Sequence, residues 1–129
     1  MSDLNRILYV EDEADIRTVA QLALESVGGF QVMACPGGKE AVAAAPQFAP
    51  DLIVLDVMMP GMDGPTTLAE LRKLDGLEKT PVVFMTAKVQ PPEIDFYKSL
   101  GAVEVIVKPF DPMALSDQVR AAWRTATGA

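Results

Sequence analysis

Five short apolar runs alternate with five segments of helical periodicity, and this alternation limits the fold more than any other feature of the sequence. The runs are ILYV (7–10), FQVMA (30–34), LIVL (52–55), VVFM (82–85) and VEVIV (103–107). Three of them are continuously apolar, as is typical of central strands in a parallel sheet that is covered on both faces. Strict alternation with short connections predicts right-handed βαβ units and a doubly wound, five-stranded parallel α/β sheet.

The helices are predicted from apolar residues at helical spacing and from glycine, proline and aspartate at the helix ends. The first helix closes at Gly28-Gly29, the second stops at Pro46, and the fifth opens with Asp111 as its cap and Pro112 as its first residue. The first helix carries apolar residues from Ile16 to Val27, the second runs from about 38 to 45, and the fourth lies near 92–100. The third begins after Asp63-Gly64 and extends to Leu74, and the fifth continues through Trp123.

Length and composition indicate one globular domain over residues 1–129, with no linker and no output domain in this chain. No apolar run approaches the roughly 20 residues needed to cross a bilayer, and the start MSDLNR lacks the features of a secretory signal. The single cysteine, Cys35, suits a reducing compartment. We therefore expect a cytoplasmic protein without a membrane partner.

The charged residues exclude several classes of site. The chain has no histidine, which removes Ser-His and Cys-His nucleophilic pairs and the commonest zinc ligand. The formal net charge is −7, and the 11 Lys and Arg residues form no basic stripe, so no direct binding of nucleic acid is expected. The chemistry that remains is that of carboxylates with a hard cation and lysine.

Polar residues follow four of the five predicted strands. Glu11 and Asp12 follow the first strand, Asp56 the third, Thr86 the fourth and Lys108 the fifth. In a parallel sheet these exits share one edge, and ligands bind there beside the point where the strand order reverses. With the order 2-1-3-4-5, the first and third strands are neighbours, so the three carboxylates converge while Thr86 and Lys108 flank them.

Such a cluster favours phosphoryl transfer. Converging carboxylates repel one another unless a cation intervenes, and a small, partly hydrated set of oxygen ligands suits Mg²⁺. A lysine beside them holds a carboxylate or a phosphate oxygen as a point charge. We expect Asp56 to act as the nucleophile and to form an acyl phosphate. Taken singly, Thr86 also fits a turn hydroxyl and Lys108 a surface lysine, and only their joint placement favours the site.

Four stretches carry a resemblance to a known family: ILYVEDE (7–13), LIVLDVMMPGMDG (52–64), PVVFMTA (81–87) and VIVKPF (105–110). Over essentially its whole length the chain resembles the receiver domain of bacterial two-component response regulators, a CheY-like phosphoprotein with a flavodoxin-like (βα)5 fold. The resemblance implies a five-stranded sheet in the order 2-1-3-4-5. It also implies a phosphorelay switch that assists only its own phosphorylation and dephosphorylation.

The resemblance assigns a role to each polar residue. Asp56 accepts the phosphoryl group from a histidine kinase or a histidine phosphotransfer protein. Asp12, Asp56 and the backbone carbonyl of Met58 bind Mg²⁺, or alternatively Mn²⁺, and Glu11 acts through water. Thr86 donates a hydrogen bond to the phosphoryl oxygens, Lys108 forms an ion pair with them, and the bond from Lys108 to Pro109 is cis.

The chain departs from the family at the fifth strand, where Val105 takes the place of the usual switch aromatic. We therefore expect the signal to reach the face made by the fourth helix, the fifth strand and the fifth helix through backbone and loop shifts. That face would bind a downstream target or a second copy of the chain. Thr86 and Ala87 belong to the switch, while Met58 and Lys88 tune the lifetime of the acyl phosphate.

Two alternatives come from other classes of protein. A phosphatase or phosphotransferase with an aspartyl nucleophile wants a second acid two residues after the nucleophile, where this chain has Met58. A docking module that has lost phosphorylation does not need the acid cluster, Thr86 and Lys108.

Overall fold

A computed structural model describes residues 3–128 of the chain. Its five strands form one parallel sheet in the order β2-β1-β3-β4-β5. The strands are β1 (Arg6–Val10), β2 (Gln31–Cys35), β3 (Leu52–Asp56), β4 (Val82–Thr86) and β5 (Ala102–Val107). The predicted fold class and strand order are confirmed, and each predicted strand lies within one residue of the observed one at either end.

Five helices connect and follow the strands. They are α1 (Ala14–Leu22), which continues as a π-helical segment (Ala23–Val27), α2 (Gly38–Phe48), α3 (Gly64–Leu71), α4 (Pro91–Ser99) and α5 (Leu115–Thr127). No helix in the described part of the chain is long and apolar enough to cross a membrane.

Three predicted helix limits are wrong. The second helix passes through Pro46 and ends at Phe48, whose buried ring packs into the core and offsets the backbone hydrogen bond lost at the proline. The third helix ends at Leu71, three residues before Leu74, and a tight turn follows in which the N–H of Leu74 bonds to the carbonyl of Leu71.

The fifth helix begins at Leu115, so Pro112 is not its first residue. The carboxylate of Asp111 accepts the N–H of Met113 at 2.9 Å, and the carbonyl of Asp111 accepts the N–H of Ala114 at 3.0 Å. Asp111 therefore caps a turn that precedes the helix, a difference that residue type alone does not reveal because aspartate and proline begin turns as readily as helices.

The core lies on both faces of the sheet. On one face, residues such as Leu8, Ile53 and Phe84 pack with buried residues of α2, α3 and α4. On the other face, Tyr9 and Met85 pack with α1 and α5. All five residues of β3 and of β4 are buried, which explains why their sequences are continuously apolar up to the last residue.

Candidate functional site

Three carboxylates meet where β1 and β3 end. Val10 and Leu55 are paired in neighbouring strands, so Glu11 and Asp56, which follow them, leave the sheet side by side. Glu11 is completely buried and Asp56 is 2% exposed, whereas Asp12 is half-buried. One carboxylate oxygen from each of the three residues lies within 4.8 Å of the others. The expected convergence of these acids is therefore present.

Lys108 ties two of these acids together from the end of β5. Its Nζ donates hydrogen bonds to Oε1 of Glu11 at 2.9 Å and to Oδ1 of Asp56 at 3.1 Å. Burial acts to lower the pKa of Lys108, but the hydrogen bonds and charges of the two carboxylates outweigh it and raise that pKa above its usual value. The ammonium is therefore a fixed positive charge within the cluster.

Asp56 has the most strongly perturbed carboxyl group of the site. Burial, and then the negative charge of Glu11, raise the pKa of Asp56 to about 7, although the hydrogen bond from Lys108 acts in the opposite direction. A carboxyl group with this pKa is only partly ionised at neutral pH, and a further cation in the cluster would favour its charged form. The geometry thus favours a divalent ion beside Asp56 and Asp12.

Glu11 makes two direct contacts inside the cluster, and its expected action on a metal through water stays a prediction. Its carboxylate makes a direct ion pair with Lys108, and Oε2 accepts the N–H of Glu13 at 3.1 Å. Arg17 then fixes the loop after β1, because its Nη1 donates to the carbonyl of Glu11 at 2.8 Å. Reasoning from the sequence missed Arg17, whose only signal is its place one helical turn after the acids.

The loop after β3 is held close to Asp56 by a glycine. A Cβ atom on Gly64 would lie 2.7 Å from the carbonyl oxygen of Asp56 and 2.9 Å from the Cα of Val57. Asp63 caps α3 by accepting the N–H of Thr66 at 2.8 Å, so the helix begins directly beside the acceptor strand. The side chain of Met58, in this loop, is 67% exposed. Its carbonyl as a metal ligand stays a prediction.

Thr86 lies at the end of β4, next to the strand that carries Asp56. Its side chain is 2% exposed, and its Oγ1 accepts the N–H of Lys88 at 3.1 Å. Within residues 3–128, the hydroxyl makes no hydrogen bond to Asp56 or Lys108. Its proton is thus free for another acceptor. The side chains of Ala87 and Lys88 are exposed just beyond it.

An open cavity of about 500 Å³ lies beside the acid cluster. Ala87, Lys108, Pro109 and Phe110 line it on one side, and residues of α1 such as Ile16 line it on the other. The peptide bond from Lys108 to Pro109 is cis, as the resemblance implied. The cavity gives the lysine side of the cluster an approach from solvent.

β5 carries no aromatic residue, and the aromatic rings next to it lie on β4 and α4. Val105 is half-buried and packs against the core on the side of α2, α3 and α4. On that side the ring of Phe84 lies 5.4 Å from the ring of Tyr97, which lies 5.7 Å from the exposed ring of Phe96. A salt bridge of 3.7 Å between Lys98 and Glu104 also joins α4 to β5. These contacts depend on packing between elements, so the sequence did not indicate them.

Tyr9 lies in the first apolar run, ILYV (7–10), so the sequence did not indicate it as a polar residue of the site. Its side chain is completely buried, and its hydroxyl has no hydrogen-bond partner. Burial and the charges of Glu11 and Asp56 raise the pKa of Tyr9 above its usual value. The hydroxyl is therefore a buried polar group that feels the charges of the acid cluster and has no hydrogen-bond partner.

Comparison with known proteins identifies the family. The family model described as the response regulator receiver domain matches residues 7–120, and the acid cluster lies inside the matched range. This chain belongs to that family. Receiver domains are parts of two-component systems and act as signalling switches, so the expected class of protein is confirmed.

The relatives of this receiver domain include transcriptional regulators. It is 35% identical to the transcriptional regulatory protein CseB of Streptomyces coelicolor over 124 residues, which are 96% of this chain and 51% of that protein. It is 40% identical to the regulatory protein YkoG of Bacillus subtilis over 118 residues, 92% of this chain and 50% of that one. The receiver domain thus spans about half the length of the curated relatives it matches.

Solved structures have the same fold. The chemotaxis protein CheY4 of Vibrio cholerae superposes with a TM-score of 0.86 at 29% sequence identity, over 93% of this chain and 99% of that chain. The CheY-like fold is therefore shown by the comparison of structures as well as by the family model.

Proposed function

We propose that residues 1–129 act as a single phosphorylation-dependent switch in a two-component phosphorelay, with Asp56 as the phosphoryl acceptor. The observation that carries this proposal is the arrangement of Asp56 itself. Its carboxylate is almost completely buried at a strand end, 3.1 Å from the ammonium of Lys108 and within 4.8 Å of carboxylate oxygens of Glu11 and Asp12. Few structural roles call for three converging acids, two of which share one lysine.

The donor set fits a hard divalent cation. Carboxylate and carbonyl oxygens are the ligands that Mg²⁺ prefers, and Mn²⁺ accepts the same set. Asp12, Asp56 and the carbonyl of Met58 would hold the ion, with Glu11 acting through water. When bound, Mg²⁺ supplies positive charge that offsets the negative charge on the oxygens of the transferring phosphoryl group.

Asp56 performs the transfer with its carboxylate oxygen. The donor is a phosphohistidine of a histidine kinase or of a histidine phosphotransfer protein. A bond forms between the Asp56 oxygen and phosphorus while the bond between phosphorus and the imidazole nitrogen breaks, and that nitrogen keeps the electron pair. Lys108 already lies at Asp56, so it neutralises the new phosphoryl oxygens without a large movement.

Thr86 supplies the response to the phosphoryl group. Its free hydroxyl proton donates to a phosphoryl oxygen, which draws the end of β4 towards Asp56. The change reaches the face formed by α4, β5 and α5 through shifts of the backbone and of the loops, because Val105 is too small to act by ring rotation. A downstream target protein or a second copy of the chain binds this face in the phosphorylated state.

The remaining features of the proposal follow from charge and family. The net charge of −7 argues against direct contact with nucleic acid. Partners of a phosphorelay meet in the cytoplasm, so we place the protein there. Met58 does not supply the second acid of an aspartyl phosphatase, so the protein assists its own phosphorylation and dephosphorylation and turns over no other substrate.

Incubation with acetyl phosphate and Mg²⁺, followed by intact mass measurement, tests the proposal. We expect one phosphoryl adduct on the wild type, none on Asp56→Asn, and an unchanged adduct on the control Asp95→Asn, which alters an exposed acid of α4. Continuous release of phosphate without an accumulated adduct would indicate the phosphatase. No adduct on the wild type would indicate a docking module and would refute the proposal.

A further inference from the structure

The buried hydroxyl of Tyr9 is a polar group that the proposed phosphoryl transfer does not use. In the described residues, the buried side-chain polar atoms without a hydrogen-bond partner are Nε of Arg6 and the hydroxyl of Tyr9. Arg6 begins β1, at the edge of the sheet opposite the acids. A buried donor without a partner costs free energy, and such groups in native proteins call for an explanation.

The Tyr9 hydroxyl lies next to Glu11. Glu11 follows the last residue of β1, and its N–H donates to the carbonyl of Cys35 on β2 at 3.0 Å, so the backbone pairing of the strand continues to it. Tyr9 and Glu11, two positions apart, therefore direct their side chains to the same face of the sheet. Glu11 contributes to the raised pKa of Tyr9, after burial, both by its charge and by its closeness to the hydroxyl. The contact nevertheless falls short of a hydrogen bond.

The carboxylate of Glu11 accepts hydrogen bonds from two other donors. Its Oε1 accepts the ammonium of Lys108 at 2.9 Å, and its Oε2 accepts the N–H of Glu13 at 3.1 Å. The same ammonium also serves Asp56 at 3.1 Å. The ammonium of Lys108 therefore neutralises two buried carboxylates. New phosphoryl oxygens on Asp56 would compete with Glu11 for this ammonium.

The competition leaves Glu11 short of a donor. Glu11 has no exposed surface, so the donors left to it are the N–H of Glu13 and the water through which it would act on Mg²⁺, and neither of these carries the charge of the lost ammonium. A buried carboxylate that loses its cationic partner is costly unless another donor reaches it. The only unpartnered buried side-chain donor that the described part of the chain offers on this face, beside Glu11, is the Tyr9 hydroxyl.

We propose that Tyr9 is a positioning residue for the phosphoryl-transfer site, because its hydroxyl donates to Glu11 when Lys108 turns to the phosphoryl oxygens on Asp56. The inference rests on the proposed function. Before phosphorylation Lys108 holds Glu11 and Tyr9 has no partner. Afterwards Tyr9 holds Glu11 and Lys108 holds the phosphoryl group. The exchange favours the phosphorylated state, since Tyr9 gains a contact there that it lacks otherwise.

The variant Tyr9→Phe tests the proposal, since it removes one oxygen atom and keeps the buried ring. With Mg²⁺ present, titration with beryllofluoride, a phosphoryl mimic, should show an affinity about tenfold weaker than that of the wild type, because a hydrogen bond to a charged group is lost. Without Mg²⁺ and beryllofluoride, the variant should be as resistant to urea as the wild type or more so. A packing role would lower stability equally in both states and would overturn the proposal.

A double-mutant cycle identifies the partner of the hydroxyl. In a Glu11→Gln background, Tyr9→Phe should change beryllofluoride affinity by less than about twofold, because the charged acceptor is gone. The matched control is Tyr97→Phe, which removes the hydroxyl of the tyrosine on α4 that packs on Phe84, and which should leave the affinity unchanged. An equal loss of affinity in both backgrounds would refute the role of Glu11.

Proton NMR of the wild type gives a readout that does not depend on a variant folding. Addition of Mg²⁺ and beryllofluoride should slow the exchange of the Tyr9 hydroxyl proton and shift its resonance downfield. A wild type that does not bind beryllofluoride refutes the proposed function as well. A wild type that binds it with no change at Tyr9 refutes only the role of Tyr9.

Discussion

Replacing Lys108 with methionine removes the charge that holds the acid cluster together while keeping a side chain of similar length. Glu11 is completely buried and the side chain of Asp56 is 3% exposed, so neither carboxylate gains solvent in exchange. Removal of one partner from a buried ion pair costs about 3–5 kcal/mol. We expect Lys108→Met to lower the free energy of unfolding by about 3 kcal/mol at pH 8 without divalent cations, because protonation of Asp56 relieves part of this cost.

The destabilisation should depend on pH. A carboxyl group with a raised pKa in the folded state contributes stability that is present at low pH and is lost as pH rises through that pKa, which is about 7 for Asp56. Loss of Lys108 raises this pKa further, so the variant continues to lose stability above pH 7, where the wild type levels off. At pH 5 Asp56 is protonated in both proteins, and the difference between them should be smaller.

Urea denaturation followed by circular dichroism, at pH 5 and pH 8 with a chelator, measures both effects. The control is Lys98→Met, because Lys98 and Glu104 form a salt bridge of 3.7 Å with side chains 47% and 50% exposed. It should change stability by less than about 1 kcal/mol at either pH. A Lys108→Met protein as stable as the wild type at pH 8, or one with the same loss at both pH values, would show that the lysine does not offset buried charge.

Four further outcomes are expected. Asp56→Asn should remove most of the loss in stability that the metal-free wild type shows between pH 5 and pH 8, and a fall of unchanged size would place the titrating group elsewhere. Gly64→Ala should lower stability by about 2–3 kcal/mol in thermal unfolding, because the new Cβ atom would lie 2.7 Å from the backbone carbonyl oxygen of Asp56. The control Gly37→Ala should lower stability by less than about 1 kcal/mol, because its new Cβ atom would meet only the flexible end of the Glu40 side chain. The acyl phosphate should last minutes rather than seconds in Mg²⁺ buffer because Met58 has no polar group to orient water, and Met58→Asn should shorten that lifetime; loss of label within seconds from the wild type would contradict this. NMR spectra with and without beryllofluoride should differ in α4 and β5 as well as at the site, and changes confined to the site would refute the proposed output face.

Local patterns predicted the elements well where burial is uniform. LIVLD and VVFMT are buried at every position, so their apolar character marked β3 and β4 to within one residue. The prediction was poorer at helix ends, where a helical turn and an isolated turn are close in free energy. Asp111 and Pro112 suit the first residues of a helix and of a turn alike, and packing decided for the turn.

The sequence by itself determined that this chain forms alternating strands and helices, and that three acids, a threonine and a lysine leave the same edge of a parallel sheet. Periodicity and residue type suffice for this, because strand direction places every strand exit at one edge. Only the tertiary structure decided which donor each acid has. Glu11 pairs directly with Lys108, and Tyr9, concealed in an apolar run, lies beside it without a partner. Hydrogen-bond partners depend on register and packing between strands that are far apart in sequence. The position of a polar residue in the chain therefore does not predict which partner it has.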